Sequence, residues 1–161
     1  MGPLPEDLGS TEIDVDVNGR KLCLRFPVQT LLLDLLRDRL GLTAAKRACD
    51  VQVCGACTVL VDGKPVSSCC YLAADADGRS LLTCEGIADG SHLSRLQREF
   101  VSRGAFQCGY CTPGMLLAAT ALLETNPAPS REEVVRHMEG NLCRCTGYAR
   151  IVEAILAAAP G

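Results

Sequence analysis

Cysteines are the residues of this 161-residue chain most able to carry chemistry, since it has eleven of them and only two histidines. Disulfides would suit a short secreted chain, whereas a cytosolic chain uses cysteines for metal binding or catalysis. The count is odd, the spacings are close, and the N-terminus lacks a cationic region followed by an apolar run. These features favour a metal-binding protein of the cytoplasm.

The first cysteine group has the spacing C-x4-C-x2-C, formed by Cys49, Cys54 and Cys57. Together with a more distant fourth cysteine, this spacing is typical of plant-type [2Fe-2S] sites. The fourth ligand is Cys69 or Cys70, and only one of them can face a cluster because neighbouring strand residues point to opposite faces. Zinc is the alternative, but structural zinc prefers two separated cysteine pairs, and Cys69 and Cys70 are contiguous.

The second cysteine group combines a C-x2-C pair with a C-x-C pair: Cys108, Cys111, Cys143 and Cys145. Each pair stands just before a predicted helix N-terminus, with Thr112 and Thr146 as the expected caps. Helix N-termini carry partial positive charge and unpaired N–H groups, so they would stabilise an anionic cluster and lower the pKa of the thiols. A thioredoxin-like redox pair would need a βαβ surrounding, which the sequence lacks, and zinc is the other alternative.

The first half of the chain has the pattern of a small α+β unit. Alternating apolar residues on both sides of Asn18-Gly19 predict a β-hairpin over residues 12–26. Thr30 is expected to cap a helix that Gly41 ends. Further short strands are expected at Thr58–Val61 and Lys64–Ser68, on either side of an Asp62-Gly63 turn, and at Ser80–Thr83. The combination resembles a β-grasp.

After a boundary near Ile87–Gly90 the periodicity becomes helical. One amphipathic helix contains Leu93, Leu96 and Phe100, and a second begins at Thr112-Pro113. Two more helices are predicted, one behind the capping box Ser130–Glu133 and one over about Tyr148–Ala158. The second half therefore reads as a small helical bundle.

Three segments, CDVQVCGACTVLVDGKPVSSC, QCGYCTPGM and GNLCRCTGY, resemble the small [2Fe-2S] subunit of the molybdenum hydroxylase (xanthine dehydrogenase) family. The likeness runs from about Glu12 to the C-terminus. Among family members, the chain is most similar to separate small subunits such as those of carbon monoxide dehydrogenase and 4-hydroxybenzoyl-CoA reductase. It implies an α+β fold, with a plant-ferredoxin-like β-grasp domain at 12–88 and a four-helix bundle-like domain at 89–161. Residues 1–11 are expected to form a flexible leader.

The resemblance also implies the ligands of two clusters. The distal cluster is expected on Cys49, Cys54, Cys57 and Cys69, so that Cys69 is chosen over Cys70. The proximal cluster is expected on Cys108, Cys111, Cys143 and Cys145. Cys145 would lie nearest the pterin of a molybdenum cofactor on a partner subunit, which Gln107 would also approach. Ala48 and Gln52 stand where many family members have glycine, a departure that bears on loop packing and removes no ligand.

The function that the resemblance implies is electron transfer. Within a molybdenum-containing oxidoreductase complex, the chain would relay single electrons between the molybdenum cofactor of a large subunit and the FAD of a medium subunit, without turning over substrate alone. A dimer of heterotrimers is the expected assembly. A free-standing ferredoxin and a zinc-stapled interaction module are the alternatives.

Charge and hydropathy exclude two other classes of partner. The net charge is −3, and no basic excess points to nucleic acid. The most apolar stretch, Met115–Leu123, is far shorter than the roughly 20 residues of a membrane helix, so no transmembrane segment is expected.

Overall fold

The computed structural model describes residues 9–160. Within them, five strands form one mixed sheet: β1 (Ser10–Val17), β2 (Arg20–Pro27), β3 (Thr58–Val61), β4 (Lys64–Ser67) and β5 (Ser80–Leu82). The strand order is β2-β1-β5-β3-β4; β1 and β5 are parallel, and the other neighbours are antiparallel. The predicted mixture of sheet and helix is therefore confirmed.

Both predicted hairpin turns are present. Asn18 and Gly19 have φ values of 54° and 79°, and Asp62 and Gly63 have 48° and 76°. Two successive left-handed residues make the type I′ turn, whose twist matches that of the strands it joins. The predicted leader was wrong in part, because its last two residues already belong to β1 and pair with β2; residues 1–8 lie outside the described part of the chain.

The first helix differs from its prediction. The α-helix α1 (Leu32–Asp34) continues as a π-helical turn over Leu35–Arg39 and ends before Gly41, whose φ is +68°. Thr30 does not cap it; its hydroxyl donates to the backbone carbonyl of Pro27. The leucines of this segment are fully buried, so tertiary packing stabilises it in place of a side-chain cap.

Four longer helices make up the second half of the described chain: α2 (Arg95–Ser102), α3 (Thr112–Thr125), α4 (Arg131–Met138) and α5 (Ala149–Ala158). The predicted capping box at Ser130 and Glu133 is confirmed. A second box, formed by Ser94 and Gln97 at the start of α2, was not predicted. None of the helices in the described residues is long and apolar enough to cross a membrane.

Helix α3 joins the two halves. It is apolar on all sides, with eight buried residues, as expected of a helix surrounded by protein. One side packs in the helical core with Phe100, Val134 and Ile155. The other packs on β3, where Leu117 meets Leu60. The N-terminus of α3 directly follows Cys111, so this packing also positions the second cysteine group.

Candidate metal centres

Three cysteines of the first group lie on the long loop between the π-helical turn and β3, and the fourth, Cys69, lies on a turn after β4. Cys57 and Cys69 are buried, with 2% and 4% of their surface exposed, and both belong to the core of the sheet. The thiol of Cys69 lies close enough to Cys57 to act on its pKa, as does that of Cys54, and the thiol of Cys54 also acts on the pKa of Cys49. The four thiols are therefore neighbours.

Backbone N–H groups surround the sulfur of Cys49. Those of Val51, Val53 and Cys54 point to it and lower the pKa of its thiol to about 6; the nitrogen of Val53 lies 3.5 Å from the sulfur. The loop curls around the sulfur because Asp50 and Gln52 adopt left-handed conformations, with φ of 54° and 59°. Such donors stabilise negative charge on a ligand sulfur.

Cys57 has the opposite environment. Burial raises the pKa of its thiol to about 11, so it stays protonated at neutral pH unless a metal ion takes the place of the proton. A buried thiol with the thiols of Cys69 and Cys54 close by is suited to bind a metal.

The choice between Cys69 and Cys70 rests on burial. Both lie on a short 3₁₀ turn, Ser68–Cys70, so the prediction that the strand reaches Ser68 and places them on opposite faces was wrong. Their sulfurs are 3.7 Å apart. Cys69 is buried beside Cys57, whereas Cys70 is exposed and its thiol lies 3.7 Å from the carbonyl oxygen of Asp50. This geometry favours Cys69 as the fourth ligand.

The thiols of the second cysteine group are neighbours as well. The sulfurs of Cys108 and Cys145 are 3.6 Å apart, and both residues are exposed. Cys111 and Cys143 interact more deeply, against the helical core. Burial, followed by the contact with Cys143, raises the pKa of Cys111 to about 12. Burial acts to raise the pKa of Cys143, but hydrogen bonds from Thr146, the backbone of Cys145 and the thiol of Cys111 together outweigh it and leave that pKa lowered.

The two threonines predicted as helix caps have other roles. Thr112 is the first residue of α3, and Cys111 occupies the cap position. Helix α5 begins at Ala149, after the left-handed Tyr148, and Thr146 instead donates its hydroxyl to the sulfur of Cys143 across 3.2 Å. Both cap predictions were therefore wrong, although α3 does begin at one of the cysteine pairs.

Four cysteines in each group fit a [2Fe-2S] cluster, which takes two thiolates on each iron. Within residues 9–160, no group of three His, Cys, Asp or Glu side chains is arranged to hold a single metal ion. The hydroxyl of Thr112 is buried beside Cys111 and has no hydrogen-bond partner in the described part of the chain. A cluster sulfur would supply an acceptor for it.

The remaining predicted residue, Gln107, lies at the second group. It is exposed, and its side-chain amide donates to the carbonyl oxygen of Cys145 across 2.9 Å. Gln107 and Cys145 therefore share one solvent-facing surface. Exposed Phe106, Tyr110 and Leu142 are near neighbours of the second group in the chain.

Two residues that the sequence analysis missed, Asn141 and Tyr148, form hydrogen bonds beside the second group. The hydroxyl of Tyr148 accepts a hydrogen bond from the N–H of Cys143 at 2.8 Å and donates to the carbonyl of Asn141 at 3.3 Å. Asn141 is itself buried and reaches the first half of the chain. Both belong to the segment GNLCRCTGY, which was the only signal for them in the sequence.

The other cysteines and the histidines do not join either group. Cys84 is half-buried and its pKa is raised to about 11 by burial. Cys23 is exposed on β2. His92 is exposed, and His137 places Nε2 3.0 Å from the carbonyl oxygen of Ala118.

Comparison with known protein families gives two matches, which overlap over residues 83–89. Residues 15–89 match the 2Fe-2S iron-sulfur cluster binding domain. Residues 83–156 match the [2Fe-2S] binding domain family. Together these matches span both cysteine groups.

Similar proteins cover nearly the whole chain. The nicotine 6-hydroxylase small subunit of Paenarthrobacter nicotinovorans is 52% identical over 99% of this chain and 94% of its own length. The xanthine dehydrogenase iron-sulfur-binding subunit of Escherichia coli O157:H7 is 47% identical over 89% of this chain and 91% of its own. A chain of quinoline 2-oxidoreductase from Pseudomonas putida 86 superimposes with a TM-score of 0.90 at 46% identity, covering 93% of this chain and 94% of that one.

Proposed function

Because this chain belongs to the family of small [2Fe-2S] subunits of molybdenum hydroxylases, we propose that it relays single electrons between a molybdenum cofactor and FAD on partner subunits. When bound, a [2Fe-2S] cluster accepts and releases one electron at a time. The chain's own part is to hold two clusters, to set their potentials and to dock the partners.

The observation that carries the proposal is the gathering of four neighbouring thiols in each cysteine group. The distal cluster is assigned to Cys49, Cys54, Cys57 and Cys69. The proximal cluster is assigned to Cys108, Cys111, Cys143 and Cys145. Four neighbouring thiols per group match the four ligands of a [2Fe-2S] cluster. The N–H donors around Cys49 and the hydroxyl of Thr146 near Cys143 match the negative charge that clusters carry.

The proposal divides the chain into two cluster-binding domains. A plant-ferredoxin-like β-grasp domain spans residues 12–88, and a domain of the four-helix bundle type spans residues 89–161. The sheet and the helices described above support this division, because each cysteine group borders the core of its own half.

Exposed apolar side chains near both groups support docking rather than a free ferredoxin. Val51 and Val53, on the first cysteine loop, are 64% and 60% exposed, and we assign this loop to the FAD subunit. Phe106 and Leu142, near Gln107 and Cys145 in the chain, are also exposed, and we assign their surface to the pterin side of the molybdenum subunit. A protein serving diffusing partners would be more polar there.

The complex is proposed to be a dimer of heterotrimers in the cytoplasm. The proposed electron relay is tested by metal and sulfide analysis of the chain with its co-purifying subunits. Electron paramagnetic resonance (EPR) after dithionite reduction follows. We expect about four irons and four sulfides per chain, two distinct signals, and molybdenum in a larger subunit. Iron without partner subunits would favour a free ferredoxin, and zinc without iron would refute electron transfer.

A further inference from the structure

We infer that Asn141 is a positioning residue for electron transfer: it holds the two cysteine loops together so that electrons pass through the hydrogen bond between Leu142 and Cys54. This inference rests on the proposed function, since the route has meaning only if both loops bind clusters. It concerns the connection between the clusters, and not the ligands of either one.

The route begins with one hydrogen bond between the two halves of the chain. The N–H of Leu142 donates to the carbonyl oxygen of Cys54 across 2.8 Å. Cys54 is an assigned ligand of the distal cluster, and Leu142 immediately precedes Cys143, an assigned ligand of the proximal one. A single hydrogen bond and a short stretch of backbone therefore connect two ligand residues. Electron tunnelling weakens less along bonds and hydrogen bonds than across gaps, so this connection is a favourable path.

The side chain of Asn141, next to Leu142, makes a second contact between the two cysteine loops. The contacts of Asn141 and Leu142 with the first loop are called the junction below. Asn141 is 6% exposed, and its amide nitrogen lies 3.0 Å from the carbonyl oxygen of Gly55 and 3.3 Å from the hydroxyl of Thr58. Gly55 follows Cys54, so Asn141 and Leu142 bind two consecutive carbonyl groups of the first loop. A buried amide that loses such partners is costly, which makes the register between the loops specific.

The space around this contact leaves no room for adjustment. A Cβ on Gly114, at the start of α3, would lie 2.2 Å from the carbonyl oxygen of Gly55. A Cβ on Gly55 would lie 2.5 Å from the side-chain nitrogen of Asn141, and the φ of Gly55 is +68°. Two glycines thus allow α3, the first loop and Asn141 to meet at backbone contact. The hydroxyl of Tyr148 donates to the backbone carbonyl of Asn141 and so anchors this residue within the second loop.

Two substitutions disturb the junction without touching a ligand. Asn141→Ala removes the amide, and Gly114→Ala pushes a methyl group against Gly55. The matched control is Asn126→Ala, at the opposite end of the 14-residue α3 and so about 20 Å from Cys111. Each variant is purified with its partner subunits and compared with the wild-type complex.

The first readouts are iron content and the EPR signals of the dithionite-reduced complex. We expect both junction variants to keep the wild-type iron content and both cluster signals. The magnetic splitting between the two reduced clusters should decrease in both, and remain as in wild type in Asn126→Ala. A merely structural contribution of Asn141 would lower stability and leave this splitting unchanged.

The second readout is the rate of electron exchange between the clusters after flash photoreduction with deazaflavin. We expect it to be several-fold slower in Asn141→Ala and Gly114→Ala, and hydrogen exchange at the N–H of Leu142 to be faster. Wild-type splitting and rate in both junction variants would overturn the inference while the proposed function stands. Absence of electron exchange in the wild-type complex would instead refute the proposed function.

Discussion

The hydroxyl of Thr146 donates to the sulfur of Cys143 across 3.2 Å, and it also accepts the N–H of Tyr148. Hydrogen bonds to ligand sulfurs stabilise the reduced, more negative state of a cluster. We therefore expect Thr146→Val to lower the reduction potential of the proximal cluster by on the order of 50 mV, equivalent to about 1 kcal/mol for one electron. Thr146→Ser keeps the hydroxyl and should keep the potential in an EPR-monitored redox titration. Equal potentials in the valine and serine variants would exclude this contribution.

The neighbouring thiols of Cys69 and Cys70 provide a test of the distal cluster. Cys69→Ser should lose that cluster, so that about two irons per chain remain and only the proximal signal persists. Cys70→Ser should keep all the iron, since Cys70 is exposed, whereas Cys69 is buried in the same core as Cys57. Iron analysis and EPR on both variants decide the assignment. Retention of the distal signal in Cys69→Ser alone would show that Cys70 can serve as the ligand.

Gln52 departs from the family pattern at a position where the backbone is left-handed. It occupies a position where many members have glycine, and its φ is +59°, a conformation that costs a residue with a side chain roughly 1–2 kcal/mol. Ala48, at the other glycine position, is not among the residues with positive φ. We expect Gln52→Gly to stabilise the cluster loop, by about 0.5–1 kcal/mol after the greater flexibility of glycine in the unfolded chain is subtracted.

Thermal unfolding of the cluster-loaded protein measures this difference. Ala48→Gly is the matched control, because it adds the flexibility of glycine without relieving a left-handed backbone. It should leave the midpoint unchanged or lower it. A lower midpoint for Gln52→Gly than for the wild type would contradict the interpretation.

Short sequence patterns predicted the turns and the helix cap that depend only on residues close together in the chain. The Asn18-Gly19 and Asp62-Gly63 turns need two left-handed residues, and these residue pairs tolerate that conformation. The capping box of Ser130 and Glu133 closes within one helical turn. Such features depend on neighbours in the chain, so the sequence contains the information needed to find them.

Contacts between distant residues could not be predicted in this way. The amide of Asn141 meets Gly55, 86 positions away, and no spacing rule connects the two. Thr112 and Thr146 have the residue type of helix caps, but the cysteine groups place the first inside α3 and turn the second towards a sulfur. The gathering of four thiols in each group likewise depends on how two separate segments fold together, although the spacing alone had separated the cysteines into two groups.

The exposed apolar residues near the two cysteine groups predict how the partners bind. Val53→Glu should weaken binding of the FAD subunit, and Phe106→Glu should weaken binding of the molybdenum subunit, because each places a charge in a surface that docking removes from water. Neither residue is an assigned ligand, so the iron content and both EPR signals should be retained. The composition of the purified complex shows which subunit is lost.

Two exposed valines provide matched controls on the same halves of the chain. Val28 lies just beyond β2, and Val135 lies on α4; both are exposed to a degree similar to that of Phe106. Val28→Glu and Val135→Glu add the same charge away from the cysteine loops and should leave the complex intact. If all four variants lost partners equally, the effect would come from added charge in general. Selective loss of one subunit from each loop variant would establish that the two cysteine groups face different partners, as a relay between them requires.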